Sequence, residues 1–195
     1  MLETIRQFAA ERLADSGNGE AVRRRHAERM FEVARSTHLD DEGDVPTDLG
    51  LALAERDDFR AALDWALEHD AELGLKIAVA LQNLWNAAGP QEGLRRLTQL
   101  LERAGPSSPA VRAAALRVQG GTADMSGEDE LAERLWEESV ELYRAVGDDR
   151  GIAAVEHMLA VSAWRQGDWE RMRRLTESSL ERARGRFAFV EITGY

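Results

Sequence analysis

Four histidines, His26, His38, His69 and His157, are the side chains best suited to acid–base or metal chemistry near neutral pH. Their spacing speaks against both, because no two stand at the interval that puts a pair of ligands on one helical face. Asp148 and Asp149 form an adjacent carboxylate pair, but they fall at a turn between two expected helices, where an aspartate caps free backbone N–H groups. No serine sits in a Gly-x-Ser-x-Gly context. No Gly-x-x-x-x-Gly-Lys-[Ser/Thr] loop is present to cradle a phosphate, so neither nucleotide binding nor hydrolysis is expected. The sequence has no cysteine, which removes disulfide and thiolate chemistry. The expectation is a protein that is not an enzyme and uses no metal and no cofactor.

The elements that would position any binding residues are written twice. At a shift of forty residues, Ser126-Gly127-Glu128-Asp129 lies over Gln166-Gly167-Asp168-Trp169, and Ala114 meets Ala154, Leu135 meets Leu175, Ser139 meets Ser179 and Val140 meets Leu180. Each copy reads as a helix rich in small residues, a glycine turn where positive φ costs little, and a second helix with an acid near its start. A lone helical pair cannot bury its apolar face, so a tandem of them predicts stacking. Gly89 stands 38 residues before Gly127, which makes 75–104 a degenerate earlier copy and brings the array to three units.

Few prolines and abundant alanine, leucine, glutamate and arginine predict an all-α chain of nine or ten helices. No apolar run approaches the length of a membrane span, no signal peptide is evident, and a cytoplasmic address is expected. The net charge of −11 is concentrated: residues 40–73 hold twelve acids against Arg56 and Arg60. Direct nucleic-acid binding is therefore not expected, since it needs a basic patch. Arg23-Arg24-Arg25 lies beside Glu20, Glu28 and Glu32 and reads as a solvated helix face.

Three segments are expected. Residues 1–70 form an N-terminal helical segment, with helices over 2–15, about 20–38 and 48–56, an acidic loop after Thr37, and a helix starting at Asp57 or Asp58 as cap. Residues 71–185 hold the repeats, beginning with a helix over 71–88 that is apolar around most of its circumference. Residues 186–195 are an irregular apolar tail, either a cap over the array or the point where a longer array is cut. Trp65, Trp85, Trp136 and Trp169 are expected in the core or between repeats.

Met1-Leu2-Glu3-Thr4-Ile5-Arg6-Gln7-Phe8-Ala9 closely resembles the end of the winged-helix segment in bacterial signal-transduction ATPases. Arg60-Ala61-Ala62-Leu63-Asp64-Trp65-Ala66 resembles the helix that opens their repeat region. Glu137 to Tyr143 with Val146 to Ala153 looks like their tetratricopeptide-type repeats, although Met172 fills a usual alanine site and Gln82 and Ala160 fill usual glycine sites; Gly120 keeps its glycine.

The resemblance implies a right-handed superhelical array of antiparallel helix pairs, serving as the sensor arm of a transcriptional regulator. Its partner would be a protein or peptide, the absent ATPase module of a longer regulator, or a small-molecule effector. Met1 would then be an internal start, an expression boundary or the start of a truncated gene. In the tetratricopeptide register the concave positions are Lys76, Val79, Asn83 and Asn86, then Arg117, Gly121 and Asp124, then His157, Val161, Trp164 and Arg165. The alternative is that these are ordinary surface positions, with Trp164 packed on the next helix or the tail. A free-standing scaffold and a small-molecule sensor, with its pocket between the repeats and the helices of residues 1–70, are the rival functions.

Overall fold

The computed structural model describes residues 17–36, 49–105 and 107–183. The expected helix over 2–15, the acidic loop, the winged-helix-like string and the tail lie outside these residues. Among the described residues there are ten helices and no strand: α1 (Gly19–Ser36), α2 (Leu49–Ala54), α3 (Arg56–His69), α4 (Ala71–Ala80), α5 (Gln82–Ala88), α6 (Pro90–Arg103), α7 (Pro109–Met125), α8 (Asp129–Val146), α9 (Asp149–Gln166) and α10 (Trp169–Ala183). The all-helical expectation holds for them.

The repeat seen in sequence is also a repeat of hydrogen bonds. After α7, α8 and α9 the chain turns on Gly127, Gly147 and Gly167, with φ of 79°, 73° and 77°. At each turn the next N–H reaches back five residues, Glu128 to Ala123 O at 2.9 Å, Asp148 to Tyr143 O at 3.0 Å and Asp168 to Ala163 O at 2.9 Å, which satisfies a carbonyl at the helix end. Inside each unit one buried hydroxyl crosses between helices: Ser139 Oγ donates to Ala113 O at 2.8 Å, and Ser179 Oγ donates to Ala153 O at 2.9 Å. Asp148 caps α9 by accepting from Gly151 N at 2.9 Å, as its place in the sequence predicts.

Small residues let the paired helices approach closely. A Cβ on Gly120 of α7 would stand 2.4 Å from the Trp136 indole nitrogen of α8, so glycine is what admits that ring. The earlier unit makes the same contact with the roles exchanged: Trp85 on the first helix covers Gly93 on the second, where a Cβ would lie 2.6 Å from the ring. Around these contacts one apolar cluster runs from α1 to α7, including Phe59, Leu63, Leu75, Ile77, Trp85, Leu97 and Leu100. A second joins α7, α8 and α9 through Trp136, Val140, Tyr143, Ile152, Val155 and Leu159.

Four local expectations need correction. The helix over 71–88 bends at Leu81 (φ −87°, ψ 12°), because the Trp85 indole donates at 2.8 Å to Ala78 O, the acceptor that an unbroken helix assigns to Gln82. Gly89 has φ −178°, an extended backbone, so the first unit lacks the left-handed turn of the later ones. Asp57 and Asp58 do not cap α3, which starts at Arg56; they lie in its first turn, where Asp57 pairs with Arg60 and Asp58 with His26. Trp169 is 60% exposed, whereas Trp65, Trp85 and Trp136 are buried. As the first residue of α10, Trp169 precedes the turns that pack on α9.

Candidate interaction surface

The first helices of the three units, α4 with α5, then α7, then α9, lie side by side, α7 touching both of the others. Each buries one face and leaves a row at helical spacing toward solvent. In α9 the buried side includes Ile152, Val155, Leu159, Ala160 and Ala163. The open row holds half-buried His157 with exposed Met158, Val161, Trp164 and Arg165.

Side chains stitch the rows together. Arg117 of α7 donates to Gln82 Oε1 of α5 at 2.9 Å. Arg165 of α9 pairs with Asp124 of α7 and lies 3.7 Å from Asp129. The Asp124 carboxylate holds the Arg165 guanidinium pKa above its ordinary value. Arg117, Asp124 and Arg165, all expected as binding residues, thus have partners within the chain. Lys76 pairs with Glu72 at 2.8 Å, and burial pushes the His157 imidazole toward its neutral form. Asn83 is half-buried and Asn86 exposed. A Cβ on Gly121 would meet nothing within 4 Å, so α7 is open there.

The rows do not share one setting. At Lys76 and Val79 the C-terminal end of α1 crosses nearby, and the surface becomes a cleft of about 490 Å³ lined also by Phe31, Arg35, Val111 and Ala114. At α9 no such cover is present among the described residues, and Trp164 is 55% exposed. Sequence spacing placed both rows in one groove; the crossing of α1 is a contact between distant segments that spacing does not encode.

One polar cluster escaped the sequence reading. Glu133 of α8 accepts from Ser162 at 2.7 Å, Gln166 at 2.9 Å and Arg171 at 3.1 Å, tying α8, α9 and α10 together. Burial opposes its charge, yet the bonds from Ser162 and Arg171 hold its carboxyl below the ordinary glutamate range. A sequence signal existed: Glu133 and Arg171 are opposite charges on the second helices of successive units. Among the described residues no group of three His, Asp or Glu side chains could hold a metal ion, and no helix is long and apolar enough to cross a membrane.

The chain is 35% identical over 105 residues to the protein named "Putative HTH-type transcriptional regulator Rv0890c" of Mycobacterium tuberculosis, and equally to the correspondingly named Mb0914c of Mycobacterium bovis. The match takes in 52% of this chain and 12% of each relative, so the chain spans about an eighth of their length. No family model and no solved structure matches. Similarity to regulators of transcription is what these relatives establish.

Proposed function

We propose that the chain is a non-catalytic, cytoplasmic interaction module of a bacterial transcriptional regulator, its helix pairs stacked as a right-handed tetratricopeptide-like superhelix. Its docking face is the open row of α9 with the adjoining C-terminal half of α7, and its partner is a protein, either the regulator's ATPase module or a peptide segment of another chain. The observation that carries this reading is the exposure of Met158, Val161 and Trp164 on one side of a helix whose other side is fully packed. Aromatic and aliphatic side chains left in water beside an arginine form the kind of patch that anchors protein interfaces. The similarity to much longer regulators supports the setting. The sequence contains no Gly-x-Ser-x-Gly or phosphate-loop motif and no histidine pair at ligand spacing.

Site-specific photo-crosslinking in the native host tests it. A benzoylphenylalanine at Val161 should capture one polypeptide, and the same probe at Arg23, on the solvated face of α1, should not. Absence of an adduct at Val161 above that control overturns the proposal. Calorimetry with ATP and Mg²⁺ should show no micromolar binding.

A further inference from the structure

The cleft at the crossing of α1, α4 and α7 has its own chemistry. Its apolar lining comes from Phe31 of α1, Val79 and Ala80 of α4, and Val111 and Ala114 of α7. Its volume, about 490 Å³, falls within the range that holds small organic ligands. Two cations, Arg35 from α1 and Lys76 from α4, the one lysine in the sequence, line it together with one acid, Glu32, and with Ser36.

Neither cation is fully used. Lys76 gives one N–H to Glu72 at 2.8 Å, and an ammonium has three to give. Glu72 divides itself, since it also accepts from Ser108 N at 3.2 Å. Arg35 lies 3.7 Å from Glu32, beyond hydrogen-bond length, and its guanidinium sits 5.8 Å from the Phe31 ring centre. Both side chains reach water, Arg35 63% and Lys76 40% exposed. The lining thus carries two cations against one acid, Glu32, and in a chain of net charge −11 that local positive excess favours negative charge on an apolar body.

We propose that this cleft binds a small amphiphilic carboxylate, its apolar part against Phe31, Val79 and Val111 and its carboxylate between Arg35 and Lys76. The inference does not rest on the α9 docking face, with which it shares no residue. Because the walls come from α1 on one side and the repeats on the other, an occupant would tie the N-terminal helices to the array.

The test uses decanoate as probe, followed by displacement of the fluorescent sulfonate 1-anilinonaphthalene-8-sulfonate from the intact chain. Decyltrimethylammonium, with the same tail and the opposite charge, is the control. Decanoate should displace the dye at a concentration at least about tenfold lower than the control, the ratio expected when a single charge pair of about 1.4 kcal/mol separates them. Arg35→Met with Lys76→Met should abolish that ratio while circular dichroism and the melting temperature stay unchanged. Val111→Trp, which fills the cleft without touching its charges, should weaken both ligands together. Equal displacement by the two detergents, or a decanoate preference that survives loss of both cations, overturns the proposal.

Discussion

The α7–α8 unit and the α9–α10 unit share a backbone plan and differ in what fills it. Both turn on a left-handed glycine and both send a serine hydroxyl to the alanine carbonyl 26 residues earlier. Where the first unit places Gly120 against the Trp136 ring, the second has Ala160 and Thr176. The substitutions are paired: a methyl appears on one helix where a ring disappears from the other. The volume lost on one helix is thus partly returned on the other, while the glycine turn and the serine bond stay the same.

The largest break in this comparison should be Trp136→Ala. The ring is 2% exposed, and its removal should cost about 3–5 kcal/mol in urea unfolding, whereas Thr176→Ala at the matching site should cost less than about 1 kcal/mol. Similar losses at the two sites would mean that the units are filled alike.

The next effect concerns a charged lock that joins the earliest repeat unit to the helix before it, where the later units also carry buried serine hydroxyl bonds. Glu92 of α6 accepts from Arg60 at 2.7 Å and from Arg56 at 2.8 Å of α3. The Arg60 bond, against the cost of burial and helped by Arg56, lowers its pKa from 4.5 to about 2. The folded chain thus takes up this proton less readily than the unfolded one. Its stabilisation is complete above pH 4.5 and is lost as the pH falls toward 2. Glu92→Gln should cost about 2–3 kcal/mol at neutral pH, less than for a fully buried pair because both arginines reach solvent, and should flatten the dependence of stability on pH across that window. An unchanged slope in the variant would assign the acid sensitivity to other carboxylates.

Gly120→Ala sharpens the paired substitution directly. Alone it should cost about 2 kcal/mol, because the new methyl meets the indole. Combined with Trp136→Thr, which copies the second unit, that added cost should vanish, and a double-mutant cycle measures the coupling. Additive losses would show that the glycine serves the helix rather than the ring.

The smallest expected effect is at the open row. Trp164→Ala and Arg165→Ala should each change stability by no more than about 0.5–1 kcal/mol, since Trp164 is 55% exposed and the Arg165–Asp124 pair lies at the surface. A loss near that of Trp136→Ala would place Trp164 in the packing and withdraw it from the docking face.

Much of the fold was legible because its signals are local. The forty-residue shift, the turns at Gly127 and Gly167, the cap at Asp148 and the burial of Trp85 and Trp136 all follow from neighbours within a unit. The site was less legible, because it is made by contacts between units. Arg165 and Asp124 occupy neighbouring positions of successive copies with opposite charges, so the register that assigns both to the concave face leaves out the pair they form across it. The bend at Leu81 needs the Trp85 indole to find a carbonyl seven residues back, and the cleft needs α1 to cross a helix some forty residues away in sequence.

The glycine turns carry a consequence for assembly of the chain. Gly127, Gly147 and Gly167 stand twenty residues apart and make the same backbone bonds, so the main chain repeats at half the period of the side chains. An array with that double periodicity can in principle dock one helix out of step, with every turn still correctly formed. What rejects such a slip is parity: Gly120 must meet Trp136, and Gly151, where a Cβ would lie 2.4 Å from the Tyr143 ring, must meet that tyrosine. These two contacts act as a checksum on helix order, read only once neighbouring helices have come together.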